Sequence, residues 1–85
     1  MRPGIKHERI TIDPRVMVGK PCIKGTRITV EQILRELGAG LSVAEILDAH
    51  PHLSPEDISA AAAYAADVVA YEDIILTGFS DAIPG

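Results

Sequence analysis

The chain has 85 residues and a formal net charge of −4, and 47% of its residues are hydrophobic although only Tyr64, Tyr71 and Phe79 are aromatic. One small domain follows, burying roughly 60–65% of the surface of its unfolded chain and gaining stability from any partner. Its core must be aliphatic, which suits packed helices, and the few rings exclude the base-stacking platforms of single-strand binders.

Cys22 is the lone cysteine and has no internal disulfide partner, so it reads as a buried or half-buried structural thiol in a cytoplasmic protein. The opening residues, MRPGIKHERI, hold no run of seven hydrophobics, and no stretch approaches the roughly 20 apolar residues of a membrane span, so neither a signal peptide nor a membrane partner is expected. Charge is divided unevenly. Residues 1–29 carry seven Lys and Arg against Glu8 and Asp13, a net +5, whereas residues 30–85 carry only Arg35 against ten acids, a net −9. Such halves imply two polar partners, or one half answering the other.

In chain order, Arg9-Ile10-Thr11-Ile12 alternates polar and apolar residues and is closed by Asp13-Pro14, which predicts a short strand and a turn. Gly25 permits a positive φ before Thr26-Arg27-Ile28-Thr29, a second alternating run placed to pair with the first. A two-stranded ribbon alone is marginal in water, and its open edges point to a homodimer. From Thr29 the period becomes helical. Thr29 and Gln32 have the form of a capping box, and Val30, Ile33, Leu34 and Leu37 recur on one face until Gly38-Ala39-Gly40. Ser42 and Glu45 form a second box for a helix with Ile46 and Leu47 inward, ending near His50 because Pro51 disfavours helical geometry before it. Ser54, Pro55, Glu56 and Asp57 then match the preferences of a helix start. Ile58, Ala61, Ala62, Ala65, Val68 and Val69 form the inner face of this third helix, which is expected to end at about Tyr71.

The pattern predicts a mainly α, single domain over 1–85: a basic β arm and loop (1–29), a tri-helical helix-turn-helix core of homeodomain-like or winged-helix-like form (30–71), and a C-terminal tail (72–85). Three short amphipathic helices also pack as a bundle without any role in DNA reading.

Gly19-Lys20-Pro21-Cys22-Ile23-Lys24-Gly25-Thr26-Arg27-Ile28 is followed by Gly40-Leu41-Ser42, Glu45-Ile46-Leu47, Pro51, Leu53, Asp57-Ile58 and Ala61-Ala62-Ala63-Tyr64-Ala65. With these residues the chain resembles, over roughly residues 8–70, the bacterial family catalogued as domain of unknown function 433. The resemblance implies a small, dimeric, homeodomain-like helix-turn-helix protein akin to antitoxins, with a PIN-type nuclease toxin and duplex DNA as partners.

Several chemistries are excluded by what is missing. Gly19-Lys20 is followed by Pro21 where a P-loop needs Ser or Thr. His50 and His52 have neither the i, i+4 zinc spacing nor that of a Cys/His finger, and no nucleophile motif is present. No enzyme activity, cofactor or metal is expected.

Arg15, Lys20, Lys24 and Arg27 are the candidate nucleic-acid contacts, through phosphate. For Arg27 the alternative is an ion pair with an acid of the helical half, such as Asp57. The third helix is a poor base reader, because its leading turn and outer face offer Pro55, Glu56, Asp57, Ser59, Ala60, Ala63 and Asp67. In the tail, Glu72, Asp73, Ile75, Leu76 and Phe79 are the candidate protein-partner contacts; the alternative is that the tail packs on this chain's core or on a dimer mate. Two functions stay open: an antitoxin-like, DNA-binding and toxin-neutralising protein, or a homodimeric interaction module with the helix-turn-helix shape and no DNA.

Overall fold

The computed structural model describes residues 7–80, with side chains from 7 to 71. Two short strands, β1 (Ile10–Thr11) and β2 (Cys22–Ile23), precede three helices, α1 (Val30–Gly38), α2 (Val43–Ala49) and α3 (Pro55–Ser80). The architecture is mainly α, with an antiparallel β pair near the N-terminus in the register Ile10 with Ile23 and Thr11 with Cys22.

The second strand lies earlier than the alternation of Thr26–Thr29 predicts. Cys22 and Ile23 are both buried, so this strand has no solvent face to produce alternation. Gly25, at φ +82°, turns the chain back, and the Ile23 N–H donates to the Ile28 carbonyl at 2.9 Å while Cys22 bridges Thr29. Thr26 fastens the turn: its hydroxyl donates to the Ile23 carbonyl at 2.8 Å and accepts from the Ile28 N–H at 3.0 Å. β2 is therefore covered on both edges, and among the described residues β1 pairs with a strand on one edge alone. The open-edge argument for a homodimer loses most of its force.

Between the strands, Met17, Val18 and Gly19 take successive positive φ angles of 49°, 52° and 82°. Val18 is β-branched and is strained in this left-handed region by about 1–2 kcal/mol. It is also 89% exposed.

Each helix start is capped by its own side chains. The Thr29 hydroxyl accepts from the Gln32 N–H at 3.0 Å, but the Gln32 amide turns outward to Glu36, so only half of that box forms. Ser42 and Glu45 make both bonds, at 3.1 and 2.7 Å. At the third start Asp57 takes the reciprocal place: the Ser54 N–H donates to its carboxylate at 3.0 Å, and the Asp57 N–H donates to the Ser54 hydroxyl at 3.3 Å. A cap of this kind contributes about 1 kcal/mol. The stop of α1 is a Schellman motif, with the Leu41 N–H on the Glu36 carbonyl and the Gly40 N–H on that of Leu37; Gly40, at φ +97°, is the left-handed residue it requires.

The core is aliphatic. Ile23, Val30, Ile33, Ile46, Leu53, Ile58 and Ala61 are buried together, and Leu34, Leu37, Leu41, Leu47, Tyr64 and Ala65 pack around them. Each fully buried Ile contributes roughly 1.5–3 kcal/mol. Cys22 is buried, as its sequence context suggests, and its thiol donates to the Lys20 carbonyl at 3.3 Å.

α3 corrects the sequence reading twice. It continues to Ser80 rather than ending near Tyr71, because nothing between 71 and 80 breaks a helix except Gly78, which a helix tolerates. Its inner face also ends sooner. Ala62 is exposed, and Val68 and Val69 are 38% and 60% exposed. The described residues extend 46 × 29 × 23 Å, elongated for so short a chain. No helix among them is long and apolar enough to cross a membrane.

Candidate functional site

The four cations predicted to meet nucleic acid are not equivalent. Arg15 doubles back on Asp13, at 3.1 Å, and holds its carboxyl below the usual aspartate range. Lys20 reaches Glu31 on α1 at 3.0 Å; with Arg35 on the same carboxylate, it holds Glu31 low as well. Lys24 and Arg27 are exposed on the tight turn after β2, and among the described residues neither forms an ion pair. The two line one cleft with Gly25, Thr26 and His52.

The acid that the sequence offered to Arg27 belongs to another cation. Asp57 is paired with Arg9, at 3.0 Å. Burial is the strongest influence on this carboxyl and pushes it upward, but the Ser54 N–H, the Arg9 guanidinium and the Ser54 hydroxyl together outweigh it, so its pKa falls below the ordinary value of 3.8. Arg9 thereby ties the N-terminal arm to the start of α3. His7 makes a second tie, with Nε2 2.7 Å from the Asp67 carboxylate and its ring edge-on to Tyr64 at a centroid distance of 5.2 Å. Sequence spacing gives no signal for either pairing, because the partners lie 48 and 60 residues apart. A third link joins α2 to α1: His50, at the end of α2, meets Glu36 at 3.0 Å and holds its carboxyl below its ordinary 4.5.

α2 and α3, joined through His50–Ser54, occupy the helix-turn-helix positions. On α3 the leading face is a shallow groove formed by Pro55, Glu56, Ser59, Ala60 and Ala63, bordered by Glu8 and by the already paired Arg9. Among the described residues, no unpaired Lys or Arg lies there to donate bidentately to guanine. A different surface, between α1 and α3, is apolar: Pro21, Val30, Leu34, Tyr64, Val68 and Val69 line an open groove of about 460 Å³, edged by Glu31 and Arg35. Sequence reading missed this groove because it assigned Val68 and Val69 to the core. Glu72, Asp73, Ile75, Leu76 and Phe79 lie on the helical backbone of α3, and their side chains fall outside the described residues.

Fold and surfaces define a small tri-helical protein of helix-turn-helix shape with a β arm. The family model described as Protein of unknown function (DUF433) matches residues 10–65, and the chain belongs to that family. It is similar to the crystal structure of a DUF433 member protein from Anabaena variabilis, with a TM-score of 0.70 and 32% identity over 81% of this chain and 68% of that one. It is also 38% identical, over 58 residues, to the uncharacterised protein y4eO of Sinorhizobium fredii, covering 68% of this chain and 26% of that protein. The chain thus spans about a quarter of that relative's length. Over 28 residues, 33% of this chain and 78% of the other, it is 61% identical to an uncharacterised protein of Archaeoglobus fulgidus.

Proposed function

We propose that the chain is a binding protein rather than an enzyme: a helix-turn-helix-shaped interaction module that serves as the antitoxin-type component of a two-protein system. One observation carries this reading. The face of α3 where a base reader needs cationic or amide donors holds Glu56, Ser59 and small apolar residues, with Glu8 alongside and Arg9 held by Asp57. Such a face repels phosphate and suits a cationic protein surface, for example the groove in which a nuclease toxin holds RNA. The excess of acids after residue 29 supports the same choice. To test it, the native partner is co-purified and identified, and Glu8→Lys and Glu56→Lys are then measured against it; weaker binding with unchanged folding is expected. Unaltered affinity in both variants would overturn the acidic-face reading.

A second reading, contact with the backbone of duplex DNA, is favoured by the unpaired Lys24 and Arg27. It predicts salt-sensitive binding, and Lys24→Ala and Arg27→Ala each lowering the salt slope by about one charge with little change in sequence preference. Absence of duplex binding at low salt leaves the protein-only module.

A further inference from the structure

Lys24 and Arg27, the Lys and Arg that make no ion pair among the described residues, border two clefts of different charge. One also holds Thr11, Asp13 and Val16, and its Asp13 carboxylate opposes an anion even while Arg15 holds it. The other, an open cleft of about 560 Å³, adds Ile28 and His52, and among the described residues no carboxylate lines it. Its walls are tied to the core. The Lys24 N–H donates to the Arg9 carbonyl at 2.7 Å and the Thr26 N–H to that of the buried Ile23 at 3.0 Å, while His52 precedes the buried Leu53, whose N–H donates to the His50 carbonyl at 2.9 Å. The Thr26 hydroxyl is used within the turn, whereas the N–H groups of Gly25 and Arg27 donate to no described acceptor. Gly25 has no side chain to screen its backbone from a ligand.

We infer that this cleft binds a phosphomonoester group, with the planar fork of Arg27 on two of its oxygens, Lys24 as a point charge and His52 as a further donor. Charge favours a terminal phosphate over the phosphodiesters of a duplex. A monoester carries about −1.5 to −2 at pH 7 and three acceptor oxygens, against a single charge on each diester. A duplex is held through several phosphates at once. Here the other described cations, Arg9, Arg15, Lys20 and Arg35, are taken by Asp57, Asp13 and Glu31, so one concentrated point of positive charge remains and no stripe. The cleft is also wider than a phosphate alone, which leaves room for the group that carries it. This assigns the two cations of the duplex reading to a different ligand and is independent of the acidic face of α3.

The experiment is a titration of the full, nitrogen-labelled chain with inorganic phosphate at constant ionic strength, followed by heteronuclear NMR. Saturable shifts in the millimolar range are expected at Gly25, Thr26, Arg27 and His52. Lys24→Ala and Arg27→Ala should each weaken binding by about tenfold, and Arg35→Ala, which removes a paired cation outside the cleft, should leave it unchanged. Adenosine monophosphate should shift the same amides and adenosine should not. A short duplex with phosphorylated ends should bind more tightly than the same duplex with hydroxyl ends. Shifts that do not saturate or are not centred on the turn, or Lys24 and Arg27 variants that bind phosphate as the wild type does, overturn the inference. Equal binding of the two duplexes, lost in Lys24→Ala, also overturns it and leaves the duplex reading standing, so the two failures are distinct.

Discussion

The two halves of α3 are one helix with two different reasons for being helical. The first half starts at a reciprocal cap of Ser54 and Asp57, buries Ile58 and Ala61, and is tied to the arm through Arg9. The second half keeps the helical backbone to Ser80, yet its described valines and Tyr71 face outward beyond the His7–Asp67 contact. Isolated helical segments of this length are marginal in water. Order in the first half is supplied by the chain's own core, whereas the described apolar residues of the second half, Val68, Val69 and Tyr71, are left exposed on it.

The strongest test of the contrast is Ile58→Ala. It removes a buried side chain from the first half and should cost about 2–5 kcal/mol, enough to unfold much of a marginal domain at 37 °C. Denaturant titration followed by circular dichroism reads this directly, and a loss below about 1 kcal/mol would show that the first half is not anchored as described. Asp57→Ala comes next. It breaks the cap and leaves Arg9 without its partner, and it should cost about 1–3 kcal/mol. For a domain of this size each kcal/mol lowers the melting temperature by about 4–8 °C.

The first half of α3 was legible in the sequence and the second was not, for a physical reason. Caps are local: Ser54, Pro55 and Asp57 state the helix start within four residues, as Ser42 and Glu45 do for α2. Burial is not local. The period that placed Val68 and Val69 inward is genuine, but the sequence does not say where the core ends and the same stripe begins to face outward. β2 misled for a related reason, since a strand covered on both edges and buried on both faces carries no alternation. Among the candidate cations, type and loop placement could be read, but not which would be neutralised: Lys20 and Arg15 met acids, and Asp57 went to Arg9 rather than Arg27.

Acid sharpens the contrast further. A carboxyl whose folded pKa lies below its unfolded value stabilises the fold above that unfolded value, and the contribution disappears as pH falls through the folded one. Asp57 and Glu36 are both lowered, from 3.8 and 4.5. Melting temperature should therefore fall as pH drops below the ordinary values of 4.5 and 3.8 and through the lowered carboxyls of the folded state. Asp57→Asn should start lower and flatten part of that fall, with Glu36→Gln removing another part. An unchanged slope in both variants would mean that these pairs do not hold the fold.

Val69→Ala has the smallest expected effect on a single chain. The side chain is mostly exposed and lies past the core, so its truncation should change the stability of dilute protein by less than about 0.5 kcal/mol. If the second half of α3 gains its order from a second copy, the wild type should melt at a temperature that rises with protein concentration, because only the folded pair is favoured by mass action. Val69→Ala should then match the wild type when dilute and fall behind it when concentrated. Calorimetry across roughly a hundredfold range of concentration separates the cases, since a tenfold change in concentration is worth about 1.4 kcal/mol in a dimerisation equilibrium. A loss above about 1 kcal/mol in the dilute sample would place Val69 in the chain's own core and erase the distinction between the halves. A concentration-independent melt in both proteins would leave the second half of α3 helical on its own propensity, whose alanine-poor, β-branched stretch makes that the least favourable way to hold it.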